Sequence, residues 1–373
     1  RIMHSNGYCC TSRNGEKAPE SSFDKLLLDG FSRVASKGLL RSQPSKIVRR
    51  TAKGDLGVVF QHSPDHFANK RKGGGSTSVA MDPDPEAFNF TQVKAEEVLG
   101  VVNERLSHAV TVLPCGSPLA HGHVLLVPQM ETRAPQVLTR ELLLCGLQLL
   151  AQSLRRDFRL VFNSLMGFAS VNHFHFHGLY LEYCGFVSRK FPVERVERSR
   201  VGGSRAEGKL CAELLAESQW YCRGLVLSAG HEEGTGGSED SPPPADLKAL
   251  ADLAGSVVEL LQKRNIPHNV LIAPYLGERN ARNPDDIFAS LAWQLEASSP
   301  EIYIFPRQPE EKLRADPGFN AAICEISGLI ATHSEMQFQD FTETEVSDIF
   351  RQDVSLEGTA FDDLICQVAW LAS

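Results

Sequence analysis

Hydrophobic and polar positions follow two periods along this chain, and each period predicts a type of element. In residues 23–40 the apolar side chains recur every three or four positions, which predicts an amphipathic helix. Residues 110–114 and 122–128 are short apolar runs typical of strands, and proline closes the second run. Residues 138–156 predict a helix and 160–165 another strand. This order indicates an α+β fold with a helix packed on a mostly antiparallel sheet.

The later part of the chain repeats this order on a smaller scale. Its pattern predicts helices over 246–264 and 320–331, with strands over 269–273 and 302–306. A stretch rich in glycine and proline separates it from the first part and is typical of a flexible linker. We therefore expect a disordered N-terminus over 1–20, a first half over 21–227, the linker over 228–246 and a second half over 247–373.

Composition and charge narrow the class of protein. The 373 residues are 42% hydrophobic and 23% charged, which is typical of a soluble globular protein. The net charge of −8 provides no global basic field, so we expect neither a nucleic-acid partner nor a membrane partner. Nine scattered cysteines without a C-x-x-C pair favour reduced thiols, and no secretion signal is evident. A cytoplasmic location is the expectation.

Three histidines at every second position are the most informative feature of the sequence. In a strand, which we predict over 171–183, alternate side chains point to opposite faces, so the histidines share one face and the intervening phenylalanines can be buried on the other. The row consists of His173, His175 and His177, with Phe174 and Phe176 between them. A neutral imidazole can act as nucleophile, acid or base near neutral pH. The row therefore predicts a catalytic site.

A three-histidine metal site is the main rival interpretation. Residues four apart on a strand are separated by about 13 Å, whereas zinc requires each nitrogen at about 2.0–2.1 Å. His173 and His177 could not both reach one ion, although two of the three with a distant ligand remain an alternative. A set of structural histidines is a further alternative. We expect no metal site, because the sequence contains no cluster of cysteines and histidines.

Small residues before the histidine row leave room for a phosphate. Gly167, Ala169 and Ser170 precede it, and the Ser170 hydroxyl with nearby amides can donate hydrogen bonds to a phosphoryl group. A neutral histidine there could attack the α-phosphorus of a nucleoside diphosphate derivative.

Two other polar residues are expected to be structural instead of catalytic. We expect His123 to be packed in the interior and Arg307 to be exposed at the end of a strand.

The histidine row resembles the His-φ-His-φ-His signature of the histidine-triad superfamily, in which φ is hydrophobic. The wider match is to the GDP-hexose phosphorylases within it, and it extends from about residue 23 to the C-terminus. The other matching motifs lie at 88–91, 117–119 with 122–128, 162–165, 266–272 and 325–328. The resemblance implies a histidine-triad-like fold with two related halves. The second half lacks a triad, which implies one active site per chain.

The resemblance also implies roles for individual residues. His175 would be the nucleophile that becomes guanylylated, and His173 would orient it. Ser170 would contact the α-phosphate, while Asn163 would help to shape the nucleotide site. His177 occupies the position that separates the subgroups, because plant enzymes that act on GDP-L-galactose carry glutamine there. With histidine at this position, the chain resembles the animal subgroup that acts on GDP-D-glucose.

The implied reaction converts GDP-D-glucose and inorganic phosphate to GDP and glucose 1-phosphate through a guanylylated histidine. GDP-L-galactose as the substrate, hydrolysis by water, and nucleotide binding without catalysis stay open as alternatives. No cofactor is implied, and Mg²⁺ on the diphosphate is compatible with the reaction. The resemblance also allows a homodimer.

Overall fold

A ten-stranded antiparallel sheet forms the centre of the protein in the computed structural model. The structure describes residues 3–4, 20–69, 75–204, 209–229, 246–274 and 300–372. The order of strands in the sheet is β4-β5-β6-β8-β7-β12-β13-β11-β10-β9, with numbers in chain order. The strands of this sheet are Gly100–Val102 (β4), Val110–Pro114 (β5), Val124–Pro128 (β6), Phe158–Asn163 (β7), Phe176–Tyr180 (β8), Arg198–Gly203 (β9), Leu210–Leu215 (β10), Leu225–Ala229 (β11), His268–Pro274 (β12) and Pro300–Pro306 (β13).

A second sheet of four strands and a set of helices complete the described fold. The small sheet has the order β1-β2-β3-β14, and its last pair is parallel. Its strands are Met3–His4 (β1), Val48–Thr51 (β2), Val59–His62 (β3) and Leu329–Ala331 (β14). The helices described are Ser22–Ser36 (α1), His66–Asn69 (α2), Arg140–Leu150 (α3), Leu247–Lys263 (α4), Ile323–Ile326 (α5), Glu335–Asp340 (α6), Glu343–Ile349 (α7) and Gly358–Leu371 (α8).

Alternating side chains of the large sheet supply the two largest hydrophobic cores among the described residues. On one face Leu160 and Phe162 of β7 pack with residues of α1, α3, α4 and α8. On the other face Val161 of β7 packs with Leu179 of β8 and with residues of the small sheet. Because strand side chains alternate between faces, one strand serves both cores. The large sheet is therefore the middle layer between the helices and the small sheet.

The α+β class and the mostly antiparallel sheet were predicted correctly. Strand 110–114 matches the prediction residue for residue, and the strands predicted over 269–273 and 302–306 lie within β12 and β13. The helix predicted over 138–156 ends at Leu150. It does not continue to residue 156, because the backbone N–H of Leu154 donates to the buried Asp24 carboxylate, 2.9 Å away, instead of to a helical carbonyl.

Two other sequence predictions were wrong in their type or extent. The helix predicted over 320–331 is the single turn α5 followed by strand β14. Gly328 turns the chain between them with a φ of +110°, and its carbonyl accepts a hydrogen bond from Val59 N–H at 2.9 Å. The strand predicted over 171–183 begins only at Phe176 and ends at Tyr180. His173 and His175 therefore precede the strand.

The large sheet continues across the predicted division into two halves, because β7 of the first half pairs directly with β12 of the second. The boundaries at 21–227 and 247–373 stay predictions. Of the linker predicted over 228–246, the structure describes only residues 228, 229 and 246. Of the N-terminal region 1–20, it describes residues 3, 4 and 20, with Met3–His4 paired to β2. Among the described residues, no helix combines the length and the apolar character needed to cross a bilayer.

Candidate active site

The first two histidines lie in an extended segment held by a loop instead of by a neighbouring strand. The backbone N–H of Phe174 donates to the Ala134 carbonyl at 2.8 Å. The Gln136 side chain accepts from His175 N–H at 2.9 Å and donates to the His175 carbonyl at 3.2 Å. The same amide donates to the Asn163 carbonyl at 3.0 Å. Gln136 thus makes the backbone hydrogen bonds to His175 that a neighbouring strand would otherwise make.

The phenylalanines between the histidines are buried as predicted. Phe174 and Phe176 are both fully buried in the core beneath the helices and contact Phe162 of β7. The histidine side chains are directed to the opposite face, where the Phe90 ring contacts both His173 and His175 with centroids 5.1 Å apart. The period of two therefore holds for the side chains even though the regular strand starts later.

His175 has a fixed tautomer. Its Nδ1 lies 2.9 Å from the His173 carbonyl oxygen, which can only accept, so Nδ1 carries the proton and Nε2 keeps its lone pair. Burial lowers the pKa of His175 to about 4, and the carbonyl contact opposes this effect only in part. The imidazole is consequently neutral at pH 7, which is the state that a histidine nucleophile requires.

His173 is also neutral and is held by the segment around Phe90. Its Nδ1 accepts a hydrogen bond from the Phe90 backbone N–H at 3.0 Å, so its proton lies on Nε2. Burial lowers the pKa of His173 to about 4, against the opposing effect of the Met130 carbonyl. Its backbone carbonyl, not its ring, makes the contact with the His175 ring. This carbonyl is the contact through which His173 could orient His175, and the orienting role stays a prediction.

His177 is half-buried on β8 and contacts a fourth histidine. Its Nδ1 lies 3.0 Å from His123 Nε2, and the His123 Nδ1 accepts from the Leu119 backbone N–H at 3.0 Å. The amide leaves the His123 proton on Nε2, which donates to His177. His177 must then carry its own proton on Nε2. Its ring centroid is 5.0 Å from that of His175. His123 is buried as expected, but its contact with the triad was not predicted.

The loop before the histidine row is fixed by residues from the later part of the chain. The Asn269 side chain donates to Asn163 Oδ1 at 2.6 Å and to the Gly167 carbonyl at 2.8 Å. Asn163 Oδ1 also accepts from Ile323 N–H at 2.9 Å. A Cβ on Gly167 would lie 2.9 Å from the Ser164 Oγ, so this position requires a small residue. Asn163 is therefore held by buried contacts to the later part of the chain, and its role in shaping the nucleotide site stays a prediction.

Ser170 is half-buried and lies between this loop and the histidines. Two non-glycine residues of the loop, Met166 and Phe168, have positive φ angles of 59° and 73°. Such angles are uncommon outside glycine and cost free energy, so neighbouring contacts must hold them. The Glu310 backbone N–H donates to the Met166 carbonyl at 2.9 Å, and the Glu310 carboxylate accepts from Phe168 N–H at 3.2 Å.

The prediction that Arg307 is exposed was wrong. It is fully buried because it continues the central strand β13 beneath the loop that contains Phe168. Its guanidinium lies 5.1 Å from the Phe168 ring centroid and donates to the Ala321 carbonyl and, at 3.4 Å, to Asn269 Oδ1. Burial lowers the pKa of Arg307 to about 10. Arg307 therefore supports the loop from below.

The expectation of no cysteine–histidine cluster was also wrong. Cys115, His123 and His177 each have a ligand atom within 4.8 Å of the others. The three residues are too far apart in sequence for spacing to indicate the cluster. Their proximity follows from the pairing of β5, β6 and β8 in the large sheet.

The chain has a histidine-triad-like fold, and the histidine row lies in and just before strand β8 of its large sheet. The crystal structure of yeast Ap4A phosphorylase Apa2 has a similar fold, with a TM-score of 0.58 and 16% identity over 91% of this chain and 97% of that chain. The same protein in complex with Ap4A gives a TM-score of 0.55 at 15% identity, over 91% of this chain and 99% of that chain. At these identities the likeness concerns the fold alone.

The chain belongs to the GDPGP1-like family, whose N-terminal domain matches residues 22–179 and whose C-terminal domain matches residues 214–372. GDP-D-glucose phosphorylase 1 of Danio rerio is 28% identical over 92% of this chain and 89% of its own length. The Homo sapiens protein of the same name is 27% identical over 87% of this chain and 77% of its length. GDP-L-galactose phosphorylase 2 of Arabidopsis thaliana is 27% identical over 69% of this chain and 58% of its length.

Proposed function

We propose that this chain transfers the guanylyl group of GDP-D-glucose to inorganic phosphate, yielding GDP and glucose 1-phosphate. One observation supports the proposal above all others. His175 is neutral, and its Nδ1 proton is bound to the His173 carbonyl, which leaves the Nε2 lone pair for attack. The similarity to GDP-D-glucose phosphorylases over most of both chains supports the choice of substrate.

The proposed reaction has two displacements at the same phosphorus. In the first, His175 Nε2 forms a bond to the α-phosphorus and the bond to the bridging oxygen breaks, which releases glucose 1-phosphate. In the second, an oxygen of inorganic phosphate attacks the same phosphorus and the P–N bond breaks, which gives GDP. Because the guanylyl group is first transferred to His175 and then to phosphate, one difficult transfer is replaced by two easier ones.

The surrounding residues have proposed roles that follow from their contacts. His177, which carries its proton on Nε2, donates to the phosphoryl oxygens or to the leaving oxygen as negative charge develops there. Ser170 contacts the α-phosphate. Gly167 and Asn163 hold the loop that admits it. No resident cofactor is assigned, and a magnesium ion bound to the substrate diphosphate is compatible with these steps.

GDP-D-glucose is favoured over GDP-L-galactose by two features. The third position of the row is His177, whereas glutamine was expected at this position in the plant subgroup. The chain covers 89% of the Danio rerio GDP-D-glucose phosphorylase 1 but 58% of the Arabidopsis thaliana GDP-L-galactose phosphorylase 2. Side-by-side turnover of the two sugar nucleotides tests this preference.

The deciding experiment measures products from GDP-D-glucose with and without inorganic phosphate. The expected result is GDP and glucose 1-phosphate formed only when phosphate is present. GMP formed equally well without phosphate would indicate a hydrolase, and binding without turnover would indicate a non-catalytic protein.

His175→Ala should abolish turnover without unfolding the protein. Without phosphate, the wild-type chain should gain the mass of one guanylyl group on His175, and the variant should not. His121→Asn is the matched control, because His121 is half-buried and contacts Phe31 and Tyr183 instead of the triad. This control should keep its activity. Full activity of His175→Ala would refute the proposal.

A further inference from the structure

We propose that Cys115, His123 and His177 form an exchangeable site for a thiophilic divalent ion of the zinc class, whose occupation immobilises His177 and so hinders its part in the reaction. The first part of this proposal concerns binding and stands on geometry alone. The second part rests on the function proposed above. The two parts are tested by different measurements.

The separations of the three ligand atoms suit a tetrahedral ion. His123 Nε2 and His177 Nδ1 are 3.0 Å apart, and all three ligand atoms lie within 4.8 Å of one another. A tetrahedral zinc ion places two nitrogens about 3.3 Å apart, and a nitrogen and a thiolate sulfur about 3.6 Å apart. The rings would separate by only a few tenths of an ångström to admit it, and the Cys115 sulfur, which lies within 4.8 Å of both nitrogens, would close to about 3.6 Å from each by rotation of its side chain. A thiolate with two imidazoles is a donor set that favours zinc over magnesium or calcium.

Paired strands hold the three residues in this arrangement. Cys115 directly follows β5, and its backbone N–H donates to the His123 carbonyl at 2.9 Å. His123 directly precedes β6, and His177 lies opposite Leu125 of β6 on β8. Cys115 and His177 are only half-buried, so an ion can reach them from solvent. With three protein ligands, the fourth position stays open for water.

The hydrogen bonds around His123 make the site exchangeable. Its Nδ1 accepts from the Leu119 amide, so the proton on Nε2 must move to Nδ1 before Nε2 can bind an ion. That shift sacrifices the Leu119 hydrogen bond. A ligating histidine usually donates its other N–H to an acceptor, and loss of such a partner lowers affinity by about 10- to 100-fold. The Cys115 thiol, which donates to the Ser117 carbonyl at 3.4 Å, must also release its proton.

Occupation of the site would change the state of His177. The ion would replace the hydrogen bond from His123 and fix the His177 ring through Nδ1. The His177 proton stays on Nε2, but the ring is shifted by a few tenths of an ångström and can no longer adjust to the transferring phosphoryl group. Loss of precise positioning at a reacting centre lowers the rate. Zinc should therefore inhibit the proposed transfer.

The binding part is tested by titrating the full-length protein with Co²⁺, whose bond to a thiolate gives a charge-transfer absorption band. We expect this band in the wild-type protein and its loss in Cys115→Ala and Cys115→Ser. Cys366→Ser, at the exposed cysteine of α8, is the matched control and should keep the band. A wild-type spectrum without the band, or the same band in Cys115→Ala, would overturn the site whether or not the protein is a phosphorylase.

The catalytic part is tested by adding Zn²⁺ during phosphorolysis of GDP-D-glucose. Zinc should lower wild-type turnover at least tenfold, and a chelator should restore it. Both Cys115 variants should turn over at the wild-type rate without zinc and need at least tenfold more zinc for the same inhibition. Equal zinc sensitivity of wild type and variants would refute the second part, even if the cobalt band is present.

Discussion

Replacing Gln136 with methionine should damage both the stability and the chemistry of the protein. The Gln136 side chain is 1% exposed and makes three hydrogen bonds, two to the backbone of His175 and one to the Asn163 carbonyl. Methionine has a similar length but can make none of them. The substitution therefore removes the clamp while it preserves most of the packing.

The magnitude follows from the number of groups left without a partner. Each buried polar group that loses its hydrogen bond costs about 1–3 kcal/mol, so three such groups should lower the free energy of unfolding by about 3 kcal/mol or more. The His175 segment also lacks a partner strand. A displacement of about 1 Å at a reacting atom can cost about 100-fold in rate, so a similar loss of turnover is expected.

Urea denaturation and initial rates of GDP formation would measure the two effects. Gln262→Met is the matched control, because Gln262 is half-buried and makes one hydrogen bond, to the Leu138 carbonyl at 2.8 Å. It should lose about 1 kcal/mol of stability and keep its turnover. A Gln136→Met variant as stable and as active as the Gln262→Met variant would show that Gln136 does not position His175.

Two further predictions concern buried titratable side chains. His173, His175 and His268 have pKa values lowered to about 4 by burial, whereas unfolded histidines titrate at about 6.5. The unfolded state therefore binds more protons between pH 6.5 and 4, and stability should fall as the pH decreases through this window. Denaturation midpoints across that range test this, and a His268→Gln variant should show a shallower slope; equal slopes would contradict the assignment. Arg307→Met should lower the free energy of unfolding by about 2 kcal/mol and reduce kcat/KM, because it removes the guanidinium over Phe168 and its hydrogen bond to a buried carbonyl. An unchanged kcat/KM would show that Arg307 does not support the loop that contains Phe168.

Apolar runs and the alternation of apolar with polar residues predicted the elements whose structure follows from the burial of their own side chains. The strand at 110–114 is a short apolar run that ends at a proline, and the structure gives the same limits. The histidine row was assigned to one face because Phe174 and Phe176 could only be buried on the other. In these segments the burial of apolar side chains decides the local structure, and the sequence displays that burial directly.

Contacts between distant segments could not be predicted in the same way. Gln136 and Asn269 lie in the sequence far from the groups that they bind, and a lone amide gives no periodic signal. Arg307 looks like a surface residue until the neighbouring loop covers it. The short strand after Gly328 was missed because a glycine with positive φ redirects an apolar segment that otherwise favours a helix.

The pairing of β7 with β12 determines whether a shortened chain can stay soluble. All three histidines lie within the part matched by the N-terminal domain of the family, residues 22–179. A truncation after that domain would nevertheless uncover the whole edge of β7, which pairs with β12 from Leu160 to Asn163. It would also remove Asn269 and Ile323, the partners of Asn163. An unpaired apolar edge in the middle of a sheet promotes aggregation. Frameshifts and stop codons that fall between the end of that domain and β12 should therefore yield insoluble protein instead of a weakened enzyme.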